Sequence, residues 1–538
     1  MVRLLSQWIL MAVLFVAVAP AAWGQEADKA PDLSGLCAAS RSDLIEAVDR
    51  LGASGRPQDA PVLHALLDYR IGTDANGRCV MLPKETGGQA RDLATGQAVP
   101  GVDQVEPPLI NNRVRLAVKK AVAQLQLASP DPSVRLAAAQ ELQSSPSESL
   151  LPSVEAALAK ETDGNVKALL KTISAQVNLG SADPARKLRA IAIIRDSGDT
   201  ALISNLRQLL TATDDAGLTP EVRQAAKAAL HSLEFKAGLV ARLGDLFFGV
   251  SLGSVLLLTS LGLAITFGLM GVINMAHGEM LMLGAYATYV VQQTFRSYCP
   301  GAIDYYLLAA IPFAFAVPFL VGMVLERSIL RFLYNRPLET LLATWGISLG
   351  LIQSVRLIFG AQNVEVQNPS WLAGGVEVLS GLTLTYNRLA IIVFTVFVVF
   401  LCWFLLNRTR LGLQVRAVTQ DRPTAKAMGI FTWKIDMWTF ALGSGLAGLG
   451  GLALTQVSNV GPELGQGYIV DAFMVVVLGG VGKIIGTVVG ALGLGIANKF
   501  LEPLAGAVLG KILVLVLVII FIQKRPQGLF AFKGRSAE

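Results

Sequence analysis

The sequence predicts an all-α protein in two parts, a soluble helical domain followed by a polytopic bundle of transmembrane helices. Three observations predict this fold class. Among the 538 residues, 53% are hydrophobic and only 16% are charged, whereas about 25% of an average soluble domain is charged. Residues 25–240 contain no uncharged run long enough to span a bilayer, whereas such runs recur from residue 246 onward. The N-terminal half instead alternates short helical patterns with Pro, Gly, Asp and Ser breaks.

The composition excludes several classes of protein. Four Cys are too few for a disulfide-rich scaffold, and three widely separated His are too few for a histidine-based metal site. We therefore expect neither a metal nor another cofactor. The formal net charge of +6 would suggest nucleic acid binding in a soluble protein. Membrane proteins, however, concentrate Lys and Arg in cytoplasmic loops, so we expect contact with membrane lipid and no nucleic acid partner.

Residues 1–24 have the layout of a signal peptide. A single early cation, Arg3, precedes an apolar run from Trp8 to Ala19, and small residues follow near Gly24. An uncleaved anchor helix is the alternative, but the apolar run is shorter than the ~20 residues that a span needs. Cleavage after Gly24 predicts that the next segment lies outside the cytoplasm.

Residues 25–240 are predicted to form this extracytoplasmic domain. Cys37 and Cys79 can be oxidised in that compartment, and we predict a disulfide between them, with two unpaired buried thiols as the alternative.

Capping residues followed by Pro or Gly and an Ala-rich pattern predict helix starts in this domain. These pairs are Asp131-Pro132, Asp163-Gly164, Asp183-Pro184 and Thr219-Pro220. Stacked helical pairs of the HEAT repeat type would bury their apolar faces. Residues 72–101 are expected to form a loop or irregular hairpin.

Residues 241–538 are predicted to form about eight to nine spans. The first six are expected at about 246–267, 276–295, 305–327, 340–358, 388–407 and 435–457, with further crossings at about 470–498 and 506–523. Clusters of Lys and Arg mark the cytoplasmic loops and a cytoplasmic C-terminus. Eight full crossings that start outside would leave the C-terminus outside. A cytoplasmic C-terminus therefore requires a re-entrant or broken helix, which we place at Gly479, Gly480 and Gly482.

Polar side chains inside apolar runs are candidates for a translocation pathway. Asn274, His277 and Glu279 lie together in one such run, and polar groups at membrane depth are usually functional. The alternative is that they secure a helix break at the cytoplasmic interface. Other candidates follow in later spans: Thr344, Trp345, Ser348, Gln353, Gln456, Asn459 and Asp471.

Several segments together resemble the branched-chain amino acid type of ABC-transporter permease. They are residues 262–286, Arg416–Ile430, Gly443–Gly451, Val477–Gly482 and Arg525–Phe530. A signal peptide and a long helical domain ahead of such a permease resemble the urea transporter branch. The resemblance implies a bacterial inner-membrane importer with a periplasmic N-terminal domain and a cytoplasmic C-terminus. The implied partners are a second homologous permease, cytoplasmic ATP-binding subunits and a periplasmic substrate-binding protein.

The segment Arg416–Ile430 is expected to be the loop that couples this chain to an ATPase. Its apolar residues would enter a groove on that subunit, with charged residues at the rim, as helix-in-groove contacts do. The candidate residues are Arg416, Asp421, Arg422, Lys426 and Gly429. A merely solvated basic loop is the alternative.

Lys483 does not belong to a phosphate loop of the G-x4-G-K-[ST] pattern, because position 477, where the first Gly is needed, is Val and the residue after Lys483 is Ile484. We therefore expect a transport subunit that is not an enzyme.

Three functions are compatible with these features. Urea import is favoured, since Asn, Gln, Ser and Thr offer paired donors and acceptors without charge. Import of a branched-chain amino acid or short-chain amide is the alternative within transport, and a zwitterion would also need charged partners or helix ends. A sensor, in which the membrane half would only anchor a ligand-binding domain, is disfavoured because an anchor needs only one or two spans.

The N-terminal domain could dock a binding protein or act as a structural cap, and docking is slightly favoured.

Overall fold

The computed structural model describes residues 33–530 except for 39, 85–88, 101, 103, 213–216, 335 and 380. The predicted signal peptide, residues 1–24, and the basic tail residues Lys533 and Arg535 lie outside the described part. Two compact units meet in the sequence between Glu234 and Phe235, and each is considered by itself.

The N-terminal unit is built mainly of short helices. They are α1 (Arg41–Ala53), α2 (Ala60–Leu67), α3 (Asn112–Gln126), α4 (Pro132–Ser144), α5 (Leu151–Lys160), α6 (Gly164–Asn178), α7 (Pro184–Ser197), α8 (Ile203–Thr211) and the beginning of α9 (Pro220–Met270). Carboxylate oxygens of Asp131, Asp163 and Asp183 accept backbone N–H bonds from the residue two positions ahead, at 2.8 to 2.9 Å. These caps confirm the predicted starts of α4, α6 and α7.

The fold is mostly helical, as predicted, but the N-terminal unit also contains a small antiparallel sheet. Its strands are β1 (Ile71–Thr73), β2 (Cys79–Met81), β3 (Ala90–Asp92) and β4 (Ala98–Val99), paired in that order. The sequence predicted only a loop or irregular hairpin in this region. Each strand has two or three residues, which is too few to show the alternation that identifies a strand.

Cys37 and Cys79 form a disulfide that joins a short 3-10 turn to β2, with the two Cα atoms 5.6 Å apart. The bond lies beside a core that includes Leu36, Leu66 and Ile71, all fully buried. Two further cores follow along the chain. One is shared by α3 to α6 and the other by α6 to α9, so each helix buries its apolar face against its sequence neighbours.

The C-terminal unit contains the long apolar helices. After α9 come α10 (His277–Tyr298), α11 (Tyr306–Ser328), α12 (Pro337–Phe359), α13 (Tyr386–Arg408), α14 (Arg410–Gln420), α15 (Arg422–Ala427), α16 (Thr432–Thr455), α17 (Leu464–Gly479), α18 (Ile484–Ala505) and α19 (Ala507–Lys524). Between α12 and α13 lies a second departure from an all-α fold, a hairpin of β5 (Gly375–Leu379) and β6 (Leu382–Thr385).

Seven described helices are long and apolar enough to cross a membrane: α9, α11, α12, α13, α16, α18 and α19. This is fewer than the predicted eight to nine. The difference has two causes. The 22-residue α10 carries many polar side chains, and α17 has only 16 residues. Both helices nevertheless pack within the same unit, against α16 and α18 respectively.

An ion pair in the N-terminal unit gives a pH-dependent contribution to stability. Arg135 of α4 donates two hydrogen bonds to the carboxylate of Glu161, at 2.8 and 2.9 Å, and both side chains are largely buried. The guanidinium lowers the pKa of Glu161 to about 2, below the ~4.3 of an unfolded chain. The pair therefore stabilises the fold fully above pH ~4.5, and this stabilisation is lost as the pH falls towards 2.

We expect Glu161→Gln to lower the local free energy of unfolding by about 1.5–3 kcal/mol at neutral pH, because the charged hydrogen bonds are lost. The variant should also lose less stability than the wild type between pH ~4.5 and 2. Amide hydrogen exchange of α6 in the full-length chain measures both effects. Glu46→Gln is the matched control, since Glu46 and Arg50 are 70% exposed or more and should contribute almost nothing. Equal effects of the two substitutions would contradict the prediction.

Candidate functional site

The polar segment between α9 and α10 forms a break in the chain that is secured by its own side chains. Gly271 turns the chain with a φ of +68°, a conformation that favours glycine. The Asn274 side-chain oxygen accepts the N–H of Ala276 at 3.0 Å. His277 begins α10, and its Nε2 donates to the carbonyl oxygen of Thr259 in α9 at 2.9 Å. These bonds explain how irregular backbone is tolerated inside an apolar helix bundle.

Helix α12 connects to this break through two hydroxyl groups. Thr344 Oγ1 accepts the N–H of Met275 at 3.1 Å, and Ser348 Oγ donates to Glu279 Oε1 at 2.8 Å. The structure thus brings together five predicted pathway residues: Asn274, His277, Glu279, Thr344 and Ser348. All five are at most 4% exposed. We call this set the break cluster.

The break cluster retains unused hydrogen-bonding capacity. In the described part of the chain, Nδ2 of Asn274, Nδ1 of His277 and Oε2 of Glu279 are buried without a hydrogen-bond partner. Because Nε2 of His277 donates to a carbonyl, a neutral ring offers Nδ1 as an acceptor. One donor and two acceptors are thus available to a polar solute or to water, and such atoms in a native interior call for an explanation.

A second polar cluster was not predicted as a unit from the sequence. Gln292 of α10 and the hydroxyl of Tyr306 both donate to the backbone carbonyl of Gln367, each at 2.8 Å. Nε2 of Gln456 donates to the Tyr306 hydroxyl at 3.3 Å. The side-chain oxygens of Gln292 and Gln456 are buried and have no partner among the described residues. We call these four residues the glutamine cluster. The adjacent residues Gln292 and Gln293 at the end of an apolar stretch of α10 were the available sequence signal.

Other predicted pathway residues lie elsewhere. Gln353 and Asn459 are exposed, and Trp345 is 51% exposed, so none of them joins either cluster. Asp471 of α17 accepts a hydrogen bond from Lys511 of α19 at 3.0 Å, which makes it an ion-pair partner between two helices. Among the described residues, no group of three or more His, Cys, Asp or Glu could hold a metal ion.

The glycine series Gly479, Gly480 and Gly482 separates α17 from α18. Gly480 and Gly482 have φ values of +98° and +83°. A Cβ on Gly479 would lie 2.2 Å from the carbonyl oxygen of Gly486 in α18. The segment after α19 packs against this break, since the N–H of Leu529 donates to the carbonyl oxygen of Leu478 at 2.9 Å. The helix therefore ends where the sequence predicted a break, with the 16-residue α17 before it and the 22-residue α18 after it.

The predicted coupling loop folds into the short helices α14 and α15. Asp421 caps α15 by accepting the N–H and hydroxyl of Thr424 at 3.1 and 2.6 Å, and these bonds lower the pKa of its carboxyl group. Arg422 donates to Asp436 of α16 at 2.8 Å. Gly429 has a φ of +84°. Arg416 and Lys426 are exposed, which leaves the loop open to a partner.

Close contacts at glycine residues hold α10, α11 and α16 together. A Cβ on Gly284 would lie 2.2 Å from the carbonyl oxygen of Gly448, and a Cβ on Gly448 would lie 2.1 Å from that of Ala314. Small residues allow this close approach of helix backbones in membrane proteins.

We expect Gly448→Val to destabilise the helix bundle by about 3 kcal/mol or more, because the added atoms overlap with backbone that cannot move away. Thermal aggregation of the purified full-length chain measures this effect. Gly350→Val is the matched control, because a Cβ on Gly350 of α12 meets nothing within 4 Å. The prediction fails if the Gly448 variant is as stable as the control.

Comparisons with known proteins agree with this architecture. Residues 246–522 match the family model described as branched-chain amino acid transport system / permease component. The chain is 30% identical to the high-affinity branched-chain amino acid transport system permease protein BraD of Pseudomonas aeruginosa, over 53% of this chain and 95% of that protein. It is 29% identical to the permease protein LivH of Salmonella typhimurium, over 53% of this chain and 94% of that protein.

Sugar transport also occurs among the relatives. The ribose import permease protein RbsC of Escherichia coli is 35% identical, but over only 23% of this chain and 41% of that protein. No solved structure matches the chain. The BraD and LivH matches cover nearly the whole of those permeases, and the family model covers the membrane unit. The chain therefore belongs to the branched-chain amino acid transport system permease family and is a permease subunit of an ABC transporter of that type, not an enzyme.

Proposed function

We propose that this permease subunit imports urea. The observation that carries the proposal is the glutamine cluster, in which two buried amide oxygens, on Gln292 and Gln456, have no partner among the described residues. Urea has four N–H donors, one carbonyl acceptor and no net charge. A neutral polar solute of this kind satisfies such acceptors without bringing an unpaired charge into the bundle, which would be costly.

The break cluster supports the same proposal. Glu279 Oε2 and His277 Nδ1 accept hydrogen bonds, and Asn274 Nδ2 donates one, for which a carbonyl oxygen is the complement. A solute with both N–H and C=O groups can use all three. The proposed pathway therefore passes the glutamine cluster and the break cluster in turn.

A branched-chain amino acid is the second candidate. The relatives BraD and LivH are named for transport of these substrates. One specific feature favours it here: the free oxygen of Glu279 would accept hydrogen bonds from an ammonium group. The substrate carboxylate would then need a cation or a helix N-terminus.

We further propose the partners and orientation of the subunit. The exposed α14–α15 loop would dock on a cytoplasmic ATP-binding subunit through Lys426 and the turn at Gly429. A second homologous permease and a periplasmic substrate-binding protein would complete an inner-membrane importer. The N-terminal helices would offer a docking surface for the binding protein. The Cys37–Cys79 disulfide supports an oxidising, periplasmic location for this domain, because such bonds are rare in the cytosol.

Uptake of labelled urea and labelled leucine tests the substrate. In cells with urease blocked, deletion of this gene should abolish urea uptake at low micromolar concentration and leave leucine uptake unchanged. Gln292→Leu and Gln456→Leu should each reduce urea uptake roughly ten-fold, because one buried hydrogen bond is lost.

Gln293→Leu is the matched control for this experiment, because Gln293 neighbours Gln292 but lies outside the cluster and is only partly buried. It should retain urea uptake. If deletion removes leucine uptake and leaves urea uptake intact, the second candidate is correct and the urea proposal is wrong.

A native cysteine tests the orientation. Cys299, between α10 and α11, is exposed, whereas Cys402 is buried. A membrane-impermeant maleimide should label Cys299 in right-side-out vesicles, because the proposed orientation places the α10–α11 connection outside. Cys299→Ser should remove this label. If Cys299 is labelled only after the vesicles are opened, it lies on the inside and the proposed orientation is wrong.

A further inference from the structure

A groove on the surface of the membrane unit runs between α13 and α18. Its first half is a cavity of about 420 Å³ whose lining includes Leu261, Trp403, Arg416, Lys483 and Ile485. Its second half, about 340 Å³, is lined by apolar side chains of α13 and α18 alone, from Val396 to Val489. The two halves share Trp403, Ile484 and Ile485 in their linings, so they adjoin at these side chains.

The groove is cationic at one end and apolar at the other. Arg416 and Lys483 both line the first half, together with Asn407. No acidic side chain lines either half among the residues that the structure describes. Arg416 donates through Nη1 to the Leu406 carbonyl at 2.6 Å, and a guanidinium has five N–H donors in all. This end is therefore complementary to an anion that can accept several hydrogen bonds.

The length of the groove fits one leaflet of a bilayer. Along α13, the lining extends from Asn407 at the cationic end to Val396 at the apolar end. At 1.5 Å per residue this distance is roughly 16 Å, and half of a bilayer's hydrocarbon core is ~15 Å. Large apolar side chains in the second half are exposed: Val396 by 64%, Phe400 by 60% and Ile485 by 68%.

We propose that this groove binds one anionic phospholipid, with the phosphate between Arg416 and Lys483 and an acyl chain along Trp403 towards Val489. The occupant needs both a negative headgroup and an extended apolar chain, because the groove offers both kinds of surface in one continuous line. Arg416 belongs to the α14–α15 loop and Lys483 follows the glycine break. The headgroup therefore connects the α14–α15 loop to the glycine break. The bound lipid would stabilise the structure on the side of the membrane that we propose to be cytoplasmic.

Lipid retention by the full-length chain tests the proposal. In native mass spectrometry, the wild type should retain one phosphatidylglycerol more strongly than phosphatidylethanolamine. Arg416→Gln and Lys483→Gln should each weaken this retention roughly five-fold, as expected for one Lys or Arg near an anionic headgroup. Arg410→Gln is the matched control, because Arg410 is exposed in the same loop but does not line the groove. Equal retention in all three variants, or no preference for the anionic lipid in the wild type, would overturn the proposal.

The apolar half is tested separately. Val489→Trp should fill the groove and reduce phosphatidylglycerol retention, whereas Val393→Trp, at an exposed position of α13 outside the groove, should not. Phosphatidylglycerol brominated on its acyl chains should quench the fluorescence of the unaltered chain, and Trp403→Phe should remove part of that quenching. If the Val489→Cys variant cross-links to another polypeptide in native membranes, a protein covers the groove and the lipid assignment is wrong.

Discussion

Close backbone contact between helices α10, α11 and α16 is the constraint on which the membrane unit depends. Lipid tails are as apolar as Leu, so helices in a bilayer are not driven together by the hydrophobic effect and must gain from close packing. Gly451 shows how tight this packing is, since a Cβ there would lie 2.0 Å from the carbonyl oxygen of Leu281. With three helices fixed at this distance, α10 can begin inside the bundle after an irregular segment, because the backbone and side chains of its neighbours satisfy the freed polar groups.

That packing also determines which polar side chains meet. Glu279 and Ser348 are 69 residues apart in the sequence, and Gln456 and Tyr306 are 150 residues apart. The first pair forms because α10 lies against α12, and the second forms because α11 lies against α16. The glutamine cluster also secures the connection after α12, where the Gln367 carbonyl accepts two hydrogen bonds. Helices α10, α11 and α16 therefore position the glutamine cluster and hold an irregular connection in place, whereas α12 completes the break cluster.

The sequence predicts features that depend on neighbouring residues. Aspartate followed by proline identified helix starts, and consecutive glycines identified the end of α17, because capping and positive φ are local properties. It did not predict the sheet beside Cys79, because strands of two or three residues are too short to show an alternating pattern. The sequence identified polar residues within apolar runs, but it did not show on which face of the helix each of them lies. Gln353 is exposed, while Ser348 on the same helix is buried, and the sequence does not show which side of α12 meets α10.

In the proposed pathway, the environment of Glu279 assigns substrate selectivity to the glutamine cluster. Asp436 and Asp471 are buried carboxylates paired with Arg422 and Lys511, whereas the hydrogen-bond partner of Glu279 is the neutral hydroxyl of Ser348. Glu279 lies in the first turn of α10, where the helix N-terminus stabilises a carboxylate without a cation. Its free oxygen accepts any N–H donor, from urea or from an ammonium group alike. Discrimination between a neutral and a zwitterionic solute therefore requires a second contact, and two uncharged amide oxygens provide no partner for a substrate carboxylate.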